Sequence, residues 1–442
     1  MQVKQKGVLA MLALLLAITL AGCSGNKPSG KDVSGTKEVD GPKPITITML
    51  GPGNASTDRK DFNTEIFPEL VKEKFPHVTV VSELLPQDQF ITTLKARMST
   101  GEGPDIFFYW PKMQSLEVIK PGFAKDLSEL ALLDKFNPSV VDAFAVGGAK
   151  YAIPSGVNIL GVYYNKDLFR QAGIEETPQD WAAFLEACRK LQEAGIQPIV
   201  SGDKDAYVIQ FGLYQLAASM VYPTIPDLDE QMVAGEASFA DSPWVDVLTR
   251  YKELYDAGYV QKNSLGAGNT QAQQMFIDGK AAMTIDGNWA NANVMQQGAA
   301  DFERGFFPLP GNDAGQPLAL SAAPSGGTFV NAKTENYDTI VSILEYMYEE
   351  GSPLFEAWVS YNDGQIPTYN GLAFNGSELY QNFYSLFQTN PSYAFSNQGW
   401  PAGVVDELVA KYQELITGAA TVEDVLQAAD LKMAELSKKV TN

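Results

Sequence analysis

Apolar and polar positions along this chain follow two periods. Ile45 to Leu50 is β-branched and apolar and reads as a strand, and Val78–Val81 and Ile106–Tyr109 repeat the pattern. Between them Phe62, Ile66, Phe67, Leu70 and Val71, and then Phe90, Leu94 and Met98, recur at helical spacing. Pro68 lacks a backbone N–H, so it either kinks the first helix or sets its start. Gly101 closes the second helix. Strand–helix–strand–helix–strand predicts a parallel α/β sheet. The middle third repeats the logic, beginning with a strand over Val157 to Tyr164. Thr177-Pro178-Gln179-Asp180 predicts a helix start, with a capping hydroxyl, proline in the first turn and an acid three residues on. Gly195 ends that helix, Ile199–Val200 begins another strand, and Met275 to Ile285 reads as helix, turn and strand around Asp278-Gly279. No repeat of about 20–50 residues is evident, which argues against solenoids and propellers.

The N-terminal pattern is different. Lys4 and Lys6 precede an uncharged apolar stretch, Val8 to Leu20, which is followed by Ala21, Gly22 and Cys23. Thirteen residues are too few to span roughly 30 Å of hydrocarbon as a helix, so the segment predicts a secretory signal over 1–22. Leu20-Ala21-Gly22-Cys23 resembles the bacterial lipobox, which implies lipidation of Cys23 as the mature N-terminus. Residues 23–44 are polar and without periodicity, a flexible tether with a reach of about 25 Å.

Composition narrows the function classes. Removing 1–22 from the 442 residues leaves 420, room for two or more domain-sized cores. The formal net charge is −21, and −23 once Lys4 and Lys6 leave. Such a surface repels phosphate backbones and anionic membranes, which predicts no nucleic-acid partner and membrane contact through the N-terminal lipid alone. Cys23 and Cys188 are the two cysteines, and a lipidated Cys23 leaves Cys188 without a disulfide partner. Cys188 falls on the stripe Trp181, Phe184, Leu185, Cys188, Leu191 and reads as a core thiol. With one histidine, His77, and one free thiol, Ser-His-Asp and Cys-His catalysis and a soft-metal site are disfavoured, and no twelve-residue calcium loop is seen.

Gly51-Pro52-Gly53-Asn54-Ala55-Ser56 after the first strand imitates a dinucleotide fingerprint, with Glu83 in place of the ribose-binding acid. Its third glycine is Ser56, so no cofactor is expected; the loop reads instead as a tight turn at the carboxyl edge of a sheet, where ligands bind.

Four blocks then carry a family resemblance: Gly101-Glu102-Gly103-Pro104-Asp105-Ile106 with Phe107 to Trp110; Tyr151 to Pro154 with Gly161 to Phe169; Phe276 to Met283 through Trp289; and Gly418 with Thr421 to Leu426. Together and in this order they resemble bacterial extracellular solute-binding proteins of family 1, the sugar-binding components of ABC importers. The resemblance implies an α/β, two-lobed, type II periplasmic-binding-protein fold with discontinuous lobes and hinge crossovers. The N-lobe would comprise 45–155 and 328–364 and the C-lobe 156–327 and 365–442, with crossings near Pro154–Val157, Ser321–Gly327 and Gly364–Thr368. It further implies a monomer that binds carbohydrate in an interlobe cleft and docks on the importer's transmembrane subunits.

A sugar site needs flat aromatics for C–H faces and amides or acids for hydroxyls. By resemblance, the binding set is Asn54, Tyr109, Asn158, Asp205 with Tyr207, and Trp289, with Ser325 and Gly326 at the second crossing and Trp400 supplying a further aromatic. Trp110 and Asp286 stand open between site and scaffold, and Tyr163 and Tyr164 read as packing residues. Two alternatives stand beside the carbohydrate receptor. One is a receptor for a peptide or polyamine, kept open by Asp203, Asp205 and Asp286; the other is a secreted glycoside hydrolase built on paired carboxylates.

Overall fold

The computed structural model describes residues 42–53, 60–295, 298, 301–361, 366–372 and 378–441. Cys23, residues 1–22 and most of the tether lie outside the described residues, as does Asn54.

Two sheets organise the chain. In the first, Ile45–Pro52 lies between Val78–Leu85 and Ile106–Tyr109, parallel to both, with Ile45 opposite Val78 and Met49 opposite Ile106. The helices Phe67–Lys74 and Gln87–Thr100 make the crossovers. Pro68 occupies the first turn of the helix Phe67–Lys74, where its missing N–H costs nothing. Ahead of it Phe62–Ile66 forms one wide turn, in which the Ile66 N–H reaches the Asp61 carbonyl at 3.1 Å. Gly327–Val330 and Ala152–Pro154 complete this sheet, antiparallel to their neighbours. Helices cover both faces: Phe67, Val71, Ile340, Phe355 and Trp358 pack on one, and Phe90, Leu94 and Met98 on the other.

The second sheet is centred on the long strand Val157–Asn165, with Met283–Gly287, Arg304–Phe307 and Leu320–Pro324 antiparallel to it and Ile199–Val200 outside. Strand alternation sends Leu160 and Val162 into a core with Phe184, Leu213, Trp244 and Tyr412, and Ile159 and Tyr163 into a core with Phe276, Phe306 and Phe383. A strand buried on both faces reads as an apolar run, as Val157 to Tyr164 does. The helix predicted from Thr177 begins four residues later, at Trp181: Asp180 is its cap, accepting the Ala183 N–H at 2.8 Å. The residue predicted as the trailing acid of the cap is the cap itself.

Two strand pairs run directly from one sheet to the other. Ala152–Pro154 continues through Ser155 and Gly156 into Val157–Asn165, and Leu320–Pro324 through Ser325 and Gly326 into Gly327–Val330. The two connections are bonded to each other, Ser155 N–H to the Gly326 carbonyl at 3.1 Å and Ser325 N–H to the Gly156 carbonyl at 2.8 Å. Ile366 forms a third crossing, exchanging backbone bonds with Val157 at 2.8 and 3.1 Å. The fold is thus two-lobed α/β with crossing strands between the lobes. One stretch departs from the expected division: residues 368–372 return to the first lobe, where Asn137 N–H bonds the Thr368 carbonyl and Tyr369 packs against Phe136, Tyr348 and Phe355. Trp358 completes this aromatic seat, 6.3 Å from the Tyr369 ring. No helix among the described residues is long and apolar enough to cross a membrane.

Candidate ligand-binding cleft

A cavity of about 1130 Å³ is lined by both lobes. From the first come Pro52 and Gly53 at a strand's carboxyl end, Gln87 and Asp88 at a helix start, Trp110 and Glu117. The second contributes Asn158, Tyr207, Phe211, Gln273, Trp289 and Phe395.

The second-lobe wall is aromatic. Trp289 packs edge-on to Phe211 at 5.3 Å between centroids and to Phe395 at 6.3 Å, and Phe211 in turn meets Tyr207 at 5.9 Å. Trp289 folds back over Gly287, where a Cβ would stand 2.1 Å from the indole ring, so only glycine lets the indole lie flat there. Behind this wall Asp286 is wholly buried; its Oδ2 accepts from Gln273 Nε2 at 2.8 Å and Asn269 Nδ2 at 3.4 Å, and its Oδ1 from the Gly287 N–H at 2.8 Å. Burial pushes the Asp286 carboxyl up to about 6, the Gln273 bond drawing against that rise. Asp205 acts one step further back, accepting the Asn269 N–H at 2.8 Å. Asp286 and Asp205 therefore hold lining residues without lining the cleft themselves.

A profile described as "Bacterial extracellular solute-binding protein" matches residues 63–352, about two thirds of the chain. The chain belongs to that family. It is 26% identical over 260 residues to the multiple sugar-binding protein of Streptococcus mutans, the match covering 58% of this chain and 61% of that relative. To the maltodextrin-binding protein MdxE of Bacillus subtilis it is 25% identical over 384 residues, 82% of this chain and 80% of the relative. The solved structure of a chitin oligosaccharide binding protein superimposes with a TM-score of 0.79 at 22% identity, over 89% of this chain and 99% of that one.

Within this solute-binding fold the expected site residues separate. Asn158, Tyr207, Trp289, Ser325, Gly326 and Trp110 line the cleft. The Asn158 Oδ1 has no hydrogen-bond partner within the protein. Tyr109 does not line it. Strand alternation turns Phe108 and Trp110 to the cleft and Tyr109 into the core, 1% exposed, its hydroxyl donating to Glu117 Oε2 at 2.6 Å. Trp400 is likewise a core residue: fully buried, packed on Phe239 at 4.9 Å and Trp244 at 5.3 Å, with its indole N–H on Asp229 Oδ1 at 2.8 Å. Phe395, five residues earlier, is the aromatic that this region gives to the cleft. Gly326 is required by Phe108 rather than by a ligand, because a Cβ there would lie 1.7 Å from the ring. Tyr163 is buried with its hydroxyl on the Gly287 carbonyl at 3.0 Å, and Tyr164 packs on Phe169 and Phe307.

Several lining residues escaped the sequence reading. Gln210 and Phe211 sit at a helix start just after Tyr207, and Gln273 on the helix Asn269–Ile277, where polar residues read as solvated faces. Phe395-Ser396-Asn397-Gln398 carried a signal, an aromatic beside a run of amides. No cluster of three or more His, Cys, Asp or Glu among the described residues is placed to hold a metal. Cys188 is a buried core thiol whose ionisation burial pushes up.

Proposed function

We propose that this chain is the lipoprotein receptor of an ABC importer and captures an oligosaccharide between its lobes. The observation that carries the reading is the cleft itself: an aromatic wall of Tyr207, Phe211 and Trp289 set beside the amides Asn158, Gln210 and Gln273. Aromatic faces take the C–H faces of sugar rings while amides both donate to and accept from hydroxyls. A volume of about 1130 Å³ exceeds the roughly 300–1,000 Å³ of ordinary small-molecule sites, which favours several sugar units over one. Relatives named for sugars, maltodextrin and chitin oligosaccharide support the same ligand class.

In this reading the lobes, 45–155 with 328–364 and 156–327 with 365–442 apart from the 368–372 return, close on the ligand about the paired connections at Ser155–Gly156 and Ser325–Gly326. Ligand stabilises closure by bridging both walls, and the importer's transmembrane subunits engage the closed form. Cys23 carries the lipid that keeps the receptor on the outer side of the membrane, and the receptor acts as a monomer. Catalysis is not part of the reading, since the family and the relatives are binding proteins.

A thermal-shift screen of the chain lacking residues 1–22, with Cys23→Ser, tests this against oligosaccharides, peptides and polyamines. At 100 times its dissociation constant a ligand adds about 2.7 kcal/mol. A raised midpoint with one sugar series, and no product after long incubation, is the expected result; shifts with peptides or amines alone, or product formation, would overturn it.

A further inference from the structure

The two walls of the cleft meet with like charge. Asp88, in the first turn of Gln87–Thr100, and Glu117 belong to the first lobe; Asp406, in the first turn of Val404–Thr417, belongs to the second, and all three line the cavity. Lys95 is the single cation among the described lining residues, and it is spent on Glu117, Nζ to Oε1 at 2.6 Å. Partial enclosure by the walls, followed by the Asp88 and Glu117 carboxylates, raises the proton affinity of Asp406, and Lys95 draws it back. Tyr109 and Tyr214 also feel the Asp406 charge.

A second observation points to a ligand in the same cavity. Gln398 lines the cleft and is 3% exposed; its Nε2 donates to the Pro324 carbonyl at 2.9 Å, which fixes the amide orientation and leaves Oε1 an acceptor without a protein partner. An unpaired acceptor at this depth wants a donor. Among the described residues no three acids are grouped to hold a metal ion, and an ammonium on an organic ligand suits both the carboxylates and the free acceptor.

We propose that the cleft selects for charge: it favours a glycan bearing a protonated amine, placed between Asp406 of one lobe and Asp88 and Glu117 of the other, over the same glycan in neutral or acidic form. The inference rests on the carbohydrate reading. Closure brings these carboxylates toward one another, and an ammonium between them offsets the repulsion only when the lobes are together. The gain therefore accrues to the closed state, the condition for a ligand to shift a two-state equilibrium. Acids in the first turns of two helices also suit the helix dipoles. That role alone would leave ligand choice unchanged.

The test measures affinity of the full mature chain for the β-1,4-linked glucosamine tetramer and for its N-acetylated form, below the amine's pKa, at low and high salt. The expected result is about tenfold tighter binding of the amine form, a typical coupling between a ligand and closure. Raising salt narrows the difference. Asp406→Asn removes it and tightens binding of the N-acetylated form, because one repelling charge is gone; Asp88→Asn acts in the same direction. Equal or weaker binding of the amine form, failure of both tetramers to bind, or a preference that survives both substitutions would overturn the charge selection. If neutral glycans of other series still bind, the receptor reading stands and the selection alone falls. If no glycan binds, both fall.

Discussion

Gln273 Nε2 donates to Asp286 Oδ2 at 2.8 Å, joining a residue that lines the cleft to a carboxyl group buried completely behind it. Asn269 bonds the same carboxyl group, so one buried acid holds two lining side chains. The placing of lining side chains on this wall thus depends on a residue that does not itself line the cleft, in the way outer-shell partners orient the groups they support.

That dependence has a pH signature. Asp286 is raised to about 6 in the folded chain, against about 3.9 when unfolded. Between these values the folded state holds the extra proton, so its stabilising contribution is full below about 3.9 and lost as pH rises through about 6. The loss is on the order of 3 kcal/mol. Asp286→Asn removes this term, so its stability relative to the unsubstituted chain should climb between pH 4 and pH 7 in denaturant titrations. A difference flat with pH would contradict the assignment.

The two tryptophans Trp289 and Trp400 should fail in opposite ways. Trp289→Ala removes a cleft-wall face and should weaken glycan binding by roughly 1–3 kcal/mol with a small change in melting temperature. Trp400→Ala empties a fully buried seat against Phe239 and Trp244 and should cost about 3–5 kcal/mol of stability, while the folded fraction keeps its affinity. Calorimetric titration and thermal melts on both variants separate the two effects.

Gly326→Ala places a methyl group where the Phe108 ring lies. Phe108 packs edge-on to Trp110 at 5.5 Å, so relief by moving Phe108 disturbs the first-lobe wall. The substitution should cost about 1–3 kcal/mol in unfolding free energy and lower affinity as well. A loss in stability with affinity intact would separate Phe108 from recognition.

Cys23→Ala should move the protein from the membrane fraction to the soluble fraction when cells are lysed without detergent. Retention on the membrane would contradict the lipid anchor.

How far the sequence reached depended on which side of a strand or helix had to be chosen. The run at Val157 named its strand because burial on both faces leaves one residue class to read, and the run at Ile45 because its β-branched residues favour a strand. Trp289 was legible because the Asp286-Gly287-Asn288 run before it marks the end of a strand, where side chains can reach a cleft. Tyr109 and Trp110 are adjacent and chemically alike, and only register against Phe107 and Phe329 tells which one faces the cleft. Trp400 looked like a site residue since its region does supply one; the deciding facts, Asp229 beneath its indole and the Phe239–Trp244 seat, lie over 150 residues away in sequence. The acids Asp88, Glu117 and Asp406 share no sequence signal at all, for they converge only when three helices from the two lobes face one cavity.

The central claim is that a glycan binds between the lobes against Trp289. Isothermal titration of maltodextrin, raffinose-type and N-acetylglucosamine oligomers into the mature chain and into Trp289→Ala tests it most directly. The account predicts one-to-one binding of at least one series to the unsubstituted chain, weakened about tenfold or more by the substitution. Binding that leaves Trp289→Ala unaffected, or no binding by any series from a folded chain, would contradict it.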